Sequence, residues 1–213
     1  MREIHLPEIE YFYSTHSAFA YIGSRLLFEI AERHGAKIIH RPVDLNPVVD
    51  ATSGEPFGYR SGAHRDYFFD REIERWSEYR GSPLINHRPT WHDESLALPN
   101  GFVIAALEAG LDANLLSYVI LKAHWLEDAN HNDPAILSEL AKTAGIDPAP
   151  LLERALSPDI QSIHQANTQE AINRHVFGSP TYFVNGDMFY GQDRLELVDR
   201  ALRKPFSGTW PKS

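Results

Sequence analysis

The sequence predicts an α/β protein in which a βαβ unit and a ββα unit are separated by a long helical segment. Three observations carry that expectation. Residues 9–43 read strand, amphipathic helix, strand; residues 181–203 read strand, two-residue turn, strand, helix; and nothing between about 63 and 176 reads as a strand.

The first strand is I-E-Y-F-Y, in which Ile9, Tyr11 and Tyr13 alternate with Glu10 and Phe12, the period-two pattern of extended chain. Ser14, Thr15 and His16 break it. Phe19, Ile22, Leu26, Leu27 and Ile30 then recur at helical spacing. A helix is therefore expected from about Ser17 to His34, stopped by Gly35, with Arg33 and His34 in the last turn where cations suit the dipole. Ser17 falls where this helix begins, so its hydroxyl and the first free backbone N–H groups face whatever binds above the end of the strand. Lys37 to Val43 follows as a second strand, parallel to the first through a right-handed crossover. Pro42 places an edge or an end there. Asp44 to Gly62, rich in Gly, Pro, Ser and Asn, reads as a loop long enough to be functional.

The helical segment marks its own boundaries. Asp133-Pro134, Asp147-Pro148 and Ser157-Pro158 each set an oxygen acceptor before a proline, which predicts helix starts near 134, 148 and 158. Arg65 to Tyr79, Pro99 to Gly110 and Ala113 to Glu127 add further helices, making a bundle of about six. Thr181 to Val184, Asn185-Gly186 and Asp187 to Tyr190 form a hairpin whose turn suits type I′. A last helix, with Leu195, Val198 and Leu202 on one face, runs from about Asp193 to Arg203.

Composition narrows the chemistry. The chain of 213 residues is 43% apolar and 23% charged, with no apolar run of membrane-spanning length. Residues 1–8, M-R-E-I-H-L-P-E, lack the apolar core of a signal peptide, so a cytoplasmic protein is expected. A net charge of −9, with its basic clusters interleaved with acids, disfavours nucleic acid. Cysteine is absent. That excludes disulfides, thiolate metal ligands and nucleophilic catalysis by the protein's own thiol.

The element order is that of a thioredoxin-like fold (βαβ … ββα) with a large all-helical insertion, which assigns 1–62 and 177–213 to the β/α domain and 63–176 to the insertion. S-A-F-A-Y (Ser17 to Tyr21) and G-S-P-T-Y-F-V-N-G-D-M-F-Y-G-Q-D-R-L (Gly178 to Leu195) resemble the 2-hydroxychromene-2-carboxylate isomerase family and its relatives, the kappa-class glutathione transferases and DsbA-type proteins. E-I-E-R-W (Glu72 to Trp76) resembles a further family segment. The N-terminal motif departs from the usual S-P-[FY]-S-[YW], with Ala18 for the proline and Ala20 for the second serine.

The resemblance implies that Ser17 replaces the redox cysteine and hydrogen-bonds the thiol of bound glutathione. Lowering a thiol pKa from about 8.5 by ~2 units takes roughly 2.7 kcal/mol, within reach of a hydroxyl donor at a helix N-terminus. It implies a cis Pro180, with the backbone of Ser179 paired to the cysteinyl part of glutathione. Asp193 would hold the γ-glutamyl ammonium, beside Gln192, which replaces the serine common in kappa-class enzymes. Glu55, in Ser53-Gly54-Glu55-Pro56, stands where those enzymes have an asparagine in a G-N-x-P-like run, and His64 or Arg65 would meet the glycyl carboxylate. Arg88 and Trp91, with His87 and His92, are candidates for an acceptor pocket. His124, Glu127, Asp128 and His131 share a helical spacing that can gather metal ligands but lack a second ligand-rich segment, so no metal is assigned.

The function implied is a glutathione-dependent cis/trans isomerase acting on an aromatic keto acid in aromatic-compound catabolism, in a homodimer. The alternatives are a kappa-like glutathione transferase acting on another electrophile and a non-catalytic thioredoxin-like binding protein.

Overall fold

The computed structural model describes residues 6–52, 59–208 and 210–211. Its centre is a four-stranded sheet in the order β2-β1-β3-β4, formed by β1 (Glu8–Tyr13), β2 (Lys37–Pro42), β3 (Thr181–Val184) and β4 (Asp187–Tyr190). β1 pairs parallel with β2, Glu8 opposite Lys37 and Tyr13 opposite Pro42. It pairs antiparallel with β3, Glu10 opposite Phe183 and Phe12 opposite Thr181. Pro42 thus ends an edge strand, where its missing N–H breaks no ladder. The β3–β4 turn has positive φ at both Asn185 (51°) and Gly186 (84°), the type I′ geometry that Asn-Gly favours.

The period-two pattern of β1 sends its side chains to two different cores. Ile9, Tyr11 and Tyr13 pack beneath α1 (Ala18–His34), where the rings of Tyr11 and Tyr13 stack at 4.1 Å. Phe12 points to the opposite face and joins Val43, Val48, Ala171, Val176 and Phe183. Both faces of the sheet are covered, which explains why a strand with alternating periodicity is still apolar at nearly every position. Gly35 ends α1 in the left-handed conformation (φ 58°), its N–H on Glu32 O at 3.1 Å.

One expectation fails. The segment after β2 is not loop throughout: Leu45–Thr52 is a helix, α2. Leu45, Val48 and Val49 recur at helical spacing and are buried, and Pro47 lies in the first turn, where its missing N–H costs nothing. The density of turn-forming residues masked that short period. Ser53, Gly54, Glu55 and Pro56 lie outside the described residues.

The rest of the middle segment is helical, as the sequence predicts. α3 (Gly62–Arg65), a π-helical turn at Asp66–Arg71 and α4 (Glu72–Arg80) follow one another directly. The wider turn falls beside the cleft described below, and the adjacent Phe68 and Phe69 both line it. α5 (Ala97–Glu108), α6 (Asn114–Leu126), α7 (Pro134–Thr143), α8 (Pro148–Ala155) and α9 (Pro158–Asn173) complete the group. Asp133 and Asp147 cap α7 and α8 by accepting from Ala135 N and Ala149 N. A second core joins Phe102, Ile104, Leu116, Ile120, Leu137 and Leu151. α6 serves both cores, because Leu121 and Trp125, on a different face from Leu116 and Ile120, reach the cluster under the sheet. α10 (Leu195–Arg203) closes the chain over the sheet through Leu195, Val198 and Ala201.

Candidate active site

The turn between β1 and α1 is held from several sides. Ser17 N donates to Ser14 O at 3.0 Å, Ser14 N to Ser179 Oγ at 3.0 Å, and Trp125 Nε1 to His16 O at 2.8 Å. Thr15 is bound by Asn100 of α5, whose Oδ1 accepts from Thr15 Oγ1 at 2.9 Å and Thr15 N at 3.3 Å. The Asn100 amide also donates to Val43 O at 2.9 Å and His164 Nε2 at 3.0 Å. One fully buried side chain thereby ties the turn to the end of β2 and to α9, with every hydrogen-bonding group used. Asn100→Ala strips these partners at once and strands buried polar groups, so it is expected to cost about 2–4 kcal/mol. Urea denaturation measures it; a loss below about 1 kcal/mol would mean that water restores the network.

The turn faces a cleft of about 1650 Å³. At its wall Ser17 Oγ accepts from Ala20 N at 3.2 Å, as the N-cap of α1, and donates to Ser179 O at 3.1 Å. The Ser179–Pro180 peptide is cis. The first-turn N–H groups of Ala18 and Phe19 have no intrahelical acceptor. Ser17, Ser179 and Pro180, far apart in the chain, are therefore assembled at one point. A hydroxyl hydrogen, a helix N-terminus and an accessible strand-end backbone are what a ligand thiolate on a short peptide would need.

Asp193 stands in the 3₁₀ turn Gln192–Arg194 before α10 and lines the same cleft. Its Oδ2 accepts from Arg194 at 2.6 Å, while Oδ1 makes no hydrogen bond among the described residues. Gln192 is buried with its Oε1 accepting from Arg80 Nε at 3.0 Å, so its amide braces Arg80, which is also bound to Glu196 at 2.6 Å. Of His64 and Arg65, Arg65 lines the cleft and His64 packs edge-on to Phe68 at 6.2 Å. Arg60, which sequence reasoning missed, also lines it, with its guanidinium 5.6 Å from the Phe68 ring centre. Arg88 lines the cleft but is clamped by Asp93 at 2.5 and 2.6 Å. Trp91 is not among the lining residues and is half-exposed elsewhere.

The histidines form an array of which local spacing relates only His124 and His131. His16, beside Ser17, lies tilted over His92 with ring centres 4.6 Å apart; His92 Nδ1 meets His124 Nε2 at 3.0 Å; His124 Nδ1 meets His131 Nδ1 at 2.8 Å. Burial pushes His92 and His124 down to about 3 and His131 to about 4, and holds His16 well below its ordinary value, so all four are neutral at pH 7. Glu127 instead pairs with Lys122 at 3.2 Å and Asp128 accepts from Thr90 N at 2.7 Å. Among the described residues no group of three His, Cys, Asp or Glu has metal-site geometry.

Comparison with known proteins agrees with this architecture. The chain is 24% identical over 194 residues to a 2-hydroxychromene-2-carboxylate isomerase of Pseudomonas putida, covering 91% of this chain and 93% of the relative. It is 26% identical over 196 residues to a protein of the same name from Sphingobium xenophagum, covering 91% and 97%. A solved structure of 2-hydroxychromene-2-carboxylate isomerase superposes with a TM-score of 0.73 at 26% identity, over 92% of this chain and 95% of that one. Residues 8–203 match the DSBA-like thioredoxin domain. That span runs from the first residue of β1 to the last of α10 and takes in the cis-proline and the serine that caps α1, so the chain belongs to the DSBA-like thioredoxin domain family.

Proposed function

We propose that this protein is a glutathione-dependent cis/trans isomerase of the 2-hydroxychromene-2-carboxylate type, acting on a small aromatic keto acid in the breakdown of aromatic compounds. The observation that carries the reading is the Ser17 hydroxyl at the N-terminus of α1, 3.1 Å from the backbone of Ser179, in a chain with no cysteine of its own. The site is built to hold a thiolate and must borrow the sulfur. Full-length similarity to proteins bearing the isomerase name supports the reaction class.

Rotation about a conjugated C=C bond becomes possible when its bond order falls. Bound glutathione would supply a thiolate for reversible conjugate addition, the chemistry that lowers this bond order without net redox change. The Ser17 hydrogen would swing from Ser179 O to the sulfur, exchanging a neutral hydrogen bond worth about 1 kcal/mol for a charge-assisted one worth about 1.5–3 kcal/mol. Asp193 Oδ1 would take the γ-glutamyl ammonium, and Arg65 the glycyl carboxylate.

Isothermal calorimetry at neutral pH tests the cofactor. Micromolar to millimolar glutathione binding is expected, weakened about 10-fold or more by Asp193→Ala through loss of a charged hydrogen bond. No heat and no thermal stabilisation by glutathione would overturn the reading.

A kappa-like glutathione transferase is the second reading, favoured by the Arg88–Asp93 clamp. A carboxylate already holding Arg88 competes with any substrate carboxylate, and the remaining wall includes Phe19, Phe68 and Phe69. Conjugate accumulating from an electrophile while a hydroxychromene substrate goes unturned would select it.

A further inference from the structure

The histidine array does more than fill the space behind Ser17, and its hydrogen-bond bookkeeping fixes a direction. Each neutral imidazole carries one N–H. In one direction His131 Nδ1–H donates to His124, His124 Nε2–H donates to His92 Nδ1, and His92 keeps its hydrogen on Nε2. In the other direction the last hydrogen falls on His131 Nε2, which is buried and has no partner. An orphaned buried N–H is rarer and costlier than an orphaned acceptor, so the first direction is preferred. His16, whose own Nδ1 is buried without a partner, covers one face of the His92 ring. Both rings line the cleft beside Ser17.

We infer that His92 presents a neutral Nε2–H to the cleft as the hydrogen-bond donor for the oxyanion of the thiol adduct, and that His124 and His131 are positioning residues that set its tautomer. The inference rests on the isomerase reading and adds an electrophilic residue to it. When the sulfur–carbon bond forms, the conjugated electron pair moves to the carbonyl oxygen and makes an enolate. When the pair returns, the sulfur–carbon bond breaks and the thiolate is regenerated. No proton crosses from His92 and nothing is oxidised; the N–H is aimed where negative charge develops. A neutral imidazole suits this task because it can donate without transferring its proton and trapping the intermediate as a stable enol. The charged groups facing the array are Arg88 and Asp93, which neutralise each other beside His92, and Asp128, held by Thr90 near His124.

Two measurements test it. Long-range ¹⁵N–¹H correlation spectra of the unliganded wild-type protein between about pH 6 and 8 are expected to show His92 as the neutral Nε2–H tautomer. They are expected to show mixed tautomers at His92 in His124→Phe. An Nδ1–H tautomer at His92 in the wild type overturns the inference, whatever the enzyme does. Kinetics follow with His92→Phe and His92→Asn: kcat is expected to fall about 100-fold while glutathione affinity stays within about twofold. Unchanged kcat in a folded His92 variant overturns the role of His92 alone. Wild-type protein that binds no glutathione overturns the isomerase reading and this inference with it.

Discussion

Lowering the pH from about 7 to about 5 is expected to remove roughly 6 kcal/mol of stability through His92, His124 and His131 alone. Their folded-state values lie near 3, 3 and 4, against about 6.5 in the unfolded chain. The unfolded state therefore binds protons in a window where the native state refuses them. Stability is complete above about pH 6.5, and each histidine removes about 1.4 kcal/mol per pH unit as the pH falls toward its folded value. His16, His40 and His164 are shifted down by burial as well and act in the same direction. Carboxylates held down by hydrogen bonds, Asp93 by Arg88 and Asp128 by Thr90, act only from the ordinary carboxylate range downward, so they do not set this window. Against a typical total of about 5–15 kcal/mol, the loss brings the acid transition close to pH 5. Urea midpoints across this range measure it, and Trp125 is a local probe, edge-on to His92 at 5.5 Å and to His124 at 5.8 Å. His131→Phe should flatten the slope by one proton. A urea midpoint unchanged between pH 7 and 5.5 would show that the array accepts protons while folded.

What the sequence revealed and what it hid divide along a physical line. Strands, helix starts and the hairpin turn are written in short-range chemistry: alternation in Ile9 to Tyr13, aspartate before proline at 133 and 147, and Asn185-Gly186. α2 was hidden because Asn46 and Pro47 outweighed the short period of Leu45, Val48 and Val49. At the site, Ser17 and Ser179–Pro180 were legible through motifs on either side of the helical segment. Asn100 and the His16–His92 and His92–His124 contacts were not, since they join residues that no local pattern relates, while His124 and His131 share a helical spacing that read as metal ligands rather than as a hydrogen-bonded pair. A faint sign existed at Asn100, a single amide inside the apolar helix A-L-P-N-G-F-V-I-A-A-L-E, since a buried polar group must find partners. Trp91 shows the converse: an aromatic residue beside Arg88 and His92 in sequence lies outside the cleft that both of them line.

Ser17→Ala is expected to lower activity through the thiolate itself. The substitution removes the hydroxyl at the N-terminus of α1 that donates to Ser179 O and leaves the backbone donors of Ala18 and Phe19 in place. Losing a hydrogen bond to a charged sulfur costs about 1.5–3 kcal/mol, which raises the pKa of bound glutathione by ~1–2 units. At pH 7 a bound thiol returning from about 6.5 toward 7.5–8.5 loses thiolate, and kcat with it, by roughly 3–25-fold. The same change deletes an N-cap worth about 1 kcal/mol, so activity must be read well below the melting transition. Two observations separate catalysis from capping. Thiolate absorbance of the glutathione complex, followed against pH, should move to higher pH in Ser17→Ala, and raising the assay pH by one to two units should recover much of the lost rate. Ser17→Thr keeps a hydroxyl and an N-cap at a position that is only 7% exposed, so it should hold the wild-type thiol pKa even where the extra methyl slows turnover. A Ser17→Ala protein with an unshifted thiol titration would assign the thiolate to the helix terminus and reduce Ser17 to a cap.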